Sequence, residues 1–230
     1  MKRSFENYYT EKDASYYNNV RLDLLKFLPS NSKQKVLEVG AGGGHTLRYI
    51  KENNLASYAC GVELFEFKDS NQNHASIDQF VIANIEKKDL KLAQSAFDVI
   101  ILADVLEHLE DPWDVLNYLE RFLTDGGYFL VSLPNIREVN ALRKIVFKGS
   151  FAYTDHGVLD KTHLRFFCRK NMIELLTSRN RQIQESSSSL KMRDGNRKRK
   201  LFNLLTFNCF EEFLSVQYFF KVKRFKEGTA

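Results

Sequence analysis

Three alternate glycines, Gly40, Gly42 and Gly44, follow the apolar run Val36-Leu37-Glu38-Val39, and a carboxylate, Glu63, stands 23 residues beyond the first of them. Those residue types at that spacing describe a ligand cradle. Glycine allows positive φ in a tight turn and leaves no Cβ between backbone and ligand. A helix starting behind the turn aims unpaired N–H groups at the bound molecule. An acidic side chain about 20 residues on can accept the hydrogens of a ribose diol. A second group could move protons: Asp104, Glu107 and His108 in the order D-x-x-E-H, and His163 further along. If the D-x-x-E-H stretch is helical, its i, i+3, i+4 spacing puts all three on one face. His163 would then complete a Mg²⁺ or Mn²⁺ site able to acidify a diol or catechol. The alternative for His108 is a general base without metal, or a structural histidine touching the ligand. His163 either faces the acceptor or, beside Arg165, anchors its loop. Asp155 and His156 rank below these, and His45 and His74 read as structural.

The elements that must hold these residues follow from periodicity. Residues 35–39 read as a buried strand running into the glycine turn, and 47–51 as the helix behind it. Residues 18–28 form an amphipathic helix stopped by Pro29, with Val20, Leu24, Leu25 and Leu28 on one face. Strand-like and helix-like stretches then alternate over 56–62, 65–74, 80–83, 97–103, 112–123 and 128–133, which predicts a parallel sheet with crossover helices. Asp111-Pro112-Trp113-Asp114 is a helix start, with Asp111 as cap and Pro112 in the first turn. Thr124-Asp125-Gly126-Gly127 is a turn. Beyond Pro134-Asn135 the spacing predicts helices at 138–147, 169–179 and 201–214, a loop at 148–161, a charged loop at 193–200 and a final strand at 216–225. Residues 185–189 read equally as edge strand or loop.

The chain has 230 residues, 43% of them hydrophobic, and a net charge of +5. That is enough for one α/β domain with a modest addition. No run approaches the ~18 apolar residues of a membrane span. The basic start Met1-Lys2-Arg3 lacks the apolar stretch of a secretory signal. Cys60, Cys168 and Cys209 are scattered and suggest a reducing compartment, so the expected location is cytoplasmic. The basic run Arg197-Lys198-Arg199-Lys200 reads as solvated surface rather than a nucleic-acid patch. The aromatic tail from Phe202 to Phe220 reads as core, with part of it free to line an acceptor pocket or a homodimer contact.

The G-x-G-x-G loop with Glu38 before it resembles motif I of the class I S-adenosylmethionine-dependent methyltransferases. Further segments carry the resemblance from about Tyr16 to Phe225: Ala83-Asn84-Ile85-Glu86, Phe97 to Asp104 with its extension through Leu109, Leu123 to Tyr128, and Gly157 to Phe167. The extension is similar to the ubiquinone-biosynthesis type of small-molecule methyltransferase. The resemblance implies an α/β, Rossmann-like fold: a mostly parallel seven-stranded sheet, helices on both faces and an antiparallel last strand. It implies S-adenosylmethionine as cofactor, held by Glu38, Gly40, Ala41, Gly42, Glu63, Leu64, Asn84, Ile85, Ala103 and Asp104, with the Asn84 carbonyl oxygen reaching the adenine amino group. Glu38 and Asn84 replace the commoner Asp at their positions.

Methyl transfer from a sulfonium is an in-line displacement, so the protein mainly aligns two groups and excludes water. A hydroxyl acceptor needs its proton taken, and His108 and His163 are the candidate catalytic residues. The expected function is O-methylation of a small molecule or carbohydrate by a single domain, residues 1–230, with 136–167 as a substrate-side lid. D-x-x-E-H is also close to the E-x-x-E-H of metal-dependent ubiquinone-type and RNA 2′-O-methyltransferases, and metal-assisted RNA methylation is the alternative. No metal is assigned, because Glu-His at this place also occurs in metal-free methyltransferases and Asp replaces the first Glu. A nicotinamide oxidoreductase is disfavoured by His45 at the third dinucleotide glycine position. A non-catalytic nucleotide-binding protein is the remaining class.

Overall fold

The computed structural model describes residues 19–30, 33–193 and 197–225. The stretch 1–7 and the first residue of the expected 18–28 helix lie outside them.

Seven strands form one sheet: β1 Lys35–Val39, β2 Tyr58–Glu63, β3 Gln79–Ile82, β4 Phe97–Ala103, β5 Leu123–Pro134, β6 Arg181–Ser188 and β7 Gln217–Arg224. Their order is β3-β2-β1-β4-β5-β7-β6. The first five run parallel, while β7 is antiparallel to both β5 and β6. This is the expected architecture. The order reverses between β1 and β4, so the connections leaving these paired strands run to opposite faces and open a crevice at their C-terminal ends, where open α/β sheets bind ligands.

The helices among the described residues are α1 Leu22–Leu25, α2 His45–Glu52, α3 Pro112–Leu119, α4 Val139–Lys148, α5 Arg169–Thr177, α6 Ser189–Met192, α7 Arg197–Leu205 and α8 Glu211–Leu214. Strand side chains alternate between two cores. Leu37, Val39, Ile100, Leu102, Phe129 and Val131 pack with Leu116 and Leu119 of α3 and Met172 and Leu175 of α5. Val36, Val99, Ile101 and Leu130 pack with Leu24 of α1 and Leu47 and Ile50 of α2. Parity therefore turns Glu38, two residues after Val36, toward the α1–α2 side. At α3 the Asp111 side chain accepts from Asp114 N at 2.9 Å, the predicted cap.

Five expectations change. Thr124-Asp125-Gly126-Gly127, expected as a turn, lies within β5, where the register against β4 shifts. The expected helix 201–214 breaks into α7 and α8, with Phe207 and Asn208 at positive φ between them. Residues 65–74 form turns, not a helix, because side-chain bonds take over the backbone. Gln72 Oε1 accepts from Phe67 N at 2.9 Å, and Gln72 Nε2 donates to Phe65 O at 3.0 Å and Gly42 O at 2.9 Å. The described part of the 18–28 helix shrinks to the single turn α1. The run Arg197–Lys200, expected as loop, is the first turn of α7. The undecided stretch 185–189 resolves into edge strand β6 and the start of α6.

Candidate active site

The crevice is a cavity of about 850 Å³. Its walls include all ten residues expected around the cofactor, Glu38, Gly40, Ala41, Gly42, Glu63, Leu64, Asn84, Ile85, Ala103 and Asp104, together with His108. They arrive from four strand ends. The loop after β1 is bent by Gly40, Gly42 and Gly44, at φ of +69°, +53° and +76°. A Cβ on Gly40 would lie 2.6 Å from Val105 Cγ2, so both sterics and backbone conformation demand glycine there.

Glu63 ends β2 buried. Its Oε2 accepts from Gly42 N at 2.7 Å and its Oε1 from Leu64 N at 2.6 Å. Burial pushes this carboxyl up against those amide bonds. Asn84 Oδ1 accepts from Glu86 N at 2.9 Å, capping the short turn Ile85–Lys87. A carbonyl oxygen has two lone pairs, so one remains for another donor.

Glu38 is the electrostatic anomaly of the cavity. It is buried, and its Oε2 has no hydrogen-bond partner among the described residues. Burial pushes its carboxyl up to about 8, although Arg21 and Thr46 pull the other way. An orphaned buried carboxylate oxygen on a cavity wall is satisfied by a cationic or donor group of a ligand.

The wall opposite the strands is not legible in the sequence. Residues 19–23 and Lys26, around α1, line it with Met192 and Arg193 at the C-terminal end of α6. Arg21 fixes this wall: its guanidinium donates to Asp104 Oδ2 at 2.9 Å and Ser132 Oγ at 3.0 Å. An arginine in an amphipathic stretch carries no mark of a partner 83 residues away, and only the folded chain pairs them.

Asp104, immediately after β4, adopts φ +56°, a conformation uncommon for a non-glycine residue. Its Oδ1 accepts from Ser132 Oγ at 2.7 Å and from Gln217 Nε2. Burial alone would raise the Asp104 carboxyl. The Arg21 charge and the bonds from Ser132 and Gln217 outweigh it and hold the carboxyl below its ordinary value.

This removes Asp104 from the expected three-ligand face. Leu106–His108 is one 3-10 turn, not an α-helix, and Asp104 turns to Arg21 instead. What assembles is Glu107, His108 and His163, all buried, with one ligand atom of each within 4.8 Å of the others. The rings of His108 and His163 meet edge to face at 4.8 Å. His108 Nδ1 lies 3.0 Å from Thr162 O and His163 Nδ1 lies 3.1 Å from Val158 O. A carbonyl can only accept, so both rings carry a proton on Nδ1 and Nε2 is the basic nitrogen of each. Both Glu107 oxygens are buried without hydrogen-bond partners among the described residues. Burial, with Asp104 adding its negative charge, holds that carboxyl well above its ordinary value.

The segment 136–167 reaches this cluster from behind. Leu164 N and Arg165 N both donate to Glu107 O at 2.9 Å, and the Arg165 side chain donates to Glu110 O. Its residues are absent from the cavity walls, and it meets the site through His163 against His108.

A family profile described as "Methyltransferase domain" matches residues 10–186. The ubiquinone biosynthesis O-methyltransferase of Coxiella burnetii (strain RSA 493) is 27% identical over 128 residues, 54% of this chain and 53% of that protein. The corresponding enzyme of Rickettsia felis is 24% identical over 184 residues, 77% of this chain and 68% of that protein. A highly reducing polyketide synthase of Penicillium polonicum is 30% identical over 105 residues, 42% of this chain and 4% of that one. The chain thus spans about half of the Coxiella protein and a small part of the synthase. Among solved structures, an S-adenosylmethionine-dependent methyltransferase from Mesorhizobium loti superposes with a TM-score of 0.62 at 15% identity, over 93% of this chain and 99% of that one. One from Archaeoglobus fulgidus gives 0.58 at 16% identity, over 93% and 95%. At such identities the likeness is one of fold.

Proposed function

The chain belongs to the methyltransferase-domain family and is an S-adenosylmethionine-dependent methyltransferase; from that premise we propose that its acceptor is a hydroxyl oxygen of a small molecule or sugar. The observation that carries the reading is His108 on the cavity wall, its Nδ1 held by the Thr162 carbonyl so that Nε2 is basic. The ubiquinone biosynthesis O-methyltransferases of Coxiella and Rickettsia support it through the chemistry their names state.

The cavity suits the cofactor. Glu38 offers an unsatisfied buried oxygen to a cation, Glu63 offers a carboxylate to a ribose diol, and the glycine loop leaves backbone room. When bound, S-adenosylmethionine supplies a methyl group on a cationic sulfur. Glu38, Glu63, Asn84 and the Gly40–Gly44 loop bind and orient. Arg21 and α1 cover the opening and exclude water. His108 Nε2 takes the acceptor's proton, and His163, packed on His108, holds that ring in place. On this reading residues 136–167 bear on the acceptor through His163 rather than as a lid over the cofactor.

His108→Gln should lower turnover by 10²–10⁴-fold, the usual worth of a general base, with cofactor affinity unchanged. Release of demethylated cofactor is measured with catechol and sugar acceptors. Turnover unchanged by His108→Gln with every acceptor would remove His108 as the base.

A second reading rests on Glu107, His108 and His163. Two imidazoles and a buried carboxylate suit a divalent transition metal that would lower the acceptor's pKa. Turnover would then fall on chelation and return with Mn²⁺ or Zn²⁺. Full turnover after exhaustive chelation excludes it.

A further inference from the structure

Helix α7 is inside out. Its polar residues face the protein: Asn203 is 4% exposed, and Arg199 donates to Leu214 O at 3.2 Å and Glu138 Oε1 at 3.3 Å. Residues 199, 203 and 206 share one helical face at the i, i+4, i+7 spacing. The opposite face presents Leu201, Leu204 and Leu205 at 57%, 66% and 70% exposure, with Phe202 beside them at 49%. A surface helix in water has the reverse arrangement. The turn that follows repeats the anomaly. Phe207 adopts φ +52°, a strained conformation for a bulky residue, and its ring is 90% exposed. Contiguous exposed apolar side chains of this kind mark an interaction surface.

Charge identifies the occupant. From Arg197 to Phe210 there are four basic residues and no acidic one. Arg197 and Lys198 are exposed at the start of the apolar ridge and form no ion pair among the described residues. The neighbouring acids are already matched, Glu211 by Lys191 at 2.8 Å and Glu212 by Arg137 at 2.5 Å. A second copy would set one basic ridge against another, which repels. Leucines and phenylalanines flanked by unpaired cations fit a surface that is apolar below and anionic above.

We propose that α7 and the Phe207 turn form a peripheral docking ridge for an anionic lipid bilayer. The aliphatic and aromatic side chains enter the acyl boundary, and Arg197 and Lys198 meet the headgroups. This differs from a span: no helix among the described residues is long and apolar enough to cross a membrane.

The test is co-sedimentation of the full chain with vesicles of phosphatidylcholine alone and of phosphatidylcholine with about a third phosphatidylglycerol. The expected result is binding to the anionic vesicles that falls steeply with salt, with little binding to the neutral ones. The double change Leu204→Glu, Leu205→Glu should weaken that binding at least about tenfold while leaving cofactor affinity in solution unchanged. If that variant fails to fold, Arg197→Gln with Lys198→Gln serves, and should weaken binding about fivefold per charge and flatten the salt dependence. Three outcomes overturn the proposal: no sedimentation with either vesicle, equal binding by the charge variant, or a dimer in light scattering that the leucine variant converts to monomer without changing vesicle binding. The last would mean that a second copy covers the ridge.

Discussion

At the scale of the residue, two buried carboxylates carry opposite tasks in one cavity. Glu63 has both oxygens on backbone amides and is an acceptor poised beside the glycine loop. Glu63→Ala should weaken S-adenosylmethionine binding by about 1.5–3 kcal/mol, the worth of charge-assisted hydrogen bonds. Glu63→Gln should recover part of it, because an amide oxygen can still accept from Gly42 N. Calorimetry giving wild-type affinity for Glu63→Ala would remove the ribose assignment. Glu38, raised to about 8 by burial, is protonated near pH 7 in the free protein. A cation bound beside it favours the carboxylate, so cofactor binding at pH 7 should release a proton. Titrations in buffers of different ionisation enthalpy read the proton count directly. The release should vanish in Glu38→Gln, and its persistence there would assign it to another group.

At the scale of the element, α1 is four residues long and could not stand alone. What fixes it is Leu24 in the core and the Arg21 guanidinium on Asp104 and Ser132. The same bonds support Asp104 in its left-handed conformation after β4. Arg21→Ala should therefore act at two elements, loosening the cavity's outer wall and leaving Asp104 with an unpaired charge. Because both side chains keep some solvent access, the expected loss is about 1–3 kcal/mol rather than the larger cost of a fully buried pair. Asp104 is held below its ordinary value, so its contribution is complete above that ordinary value and is lost as pH falls through the lowered one. Urea unfolding of wild type and Arg21→Ala should accordingly converge at acid pH and separate near neutrality. A constant difference at every pH would assign the loss to packing alone.

At the scale of the whole molecule, burial of acids at the site sets a pH dependence for the cofactor-free protein. Glu38 and Glu107 are both raised by burial, the second with help from the Asp104 charge. An unfolded chain releases those protons near pH 4.5, whereas the folded one keeps them. The unfolded state thus binds fewer protons in between, and stability falls as pH rises. For Glu38 the fall runs from about 4.5 to about 8, at about 1.4 kcal/mol per pH unit at its steepest. Urea midpoints should drop between pH 5.5 and 8, and Glu38→Gln should keep only the part of the slope that Glu63 and Glu107, both also raised by burial, supply. A midpoint rising over this range would mean that the site is hydrated and its carboxyls ordinary. This is the energetic cost of a binding site held ready for a cation.

The sheet and the crevice are legible in local sequence patterns. Residues 35–39 are a strand because Val36, Leu37 and Val39 form a compact apolar run that must be buried on both faces. The glycine loop follows from positive φ at Gly40, Gly42 and Gly44. The carboxylate at the end of β2 follows from spacing, and the Asp111 cap from local hydrogen bonding. These signals are short-range, and short-range patterns are what a sequence displays. The tertiary structure decided the rest. Residues 65–74 had helical composition, yet Gln72 bonds them to Gly42 and makes turns. Asp104 had metal-ligand spacing, yet a left-handed residue and one 3-10 turn send it to Arg21 and leave Glu107 with two histidines, one of them 55 residues further along the chain than His108. The aromatic tail looked like core, and Tyr218, Phe219 and Phe220 are core, yet in α7 Asn203 and Arg199 took the inward face and left Phe202 and the leucines outward. In each case the deciding partner is distant in sequence, and a pairing of that kind exists only once the chain has closed.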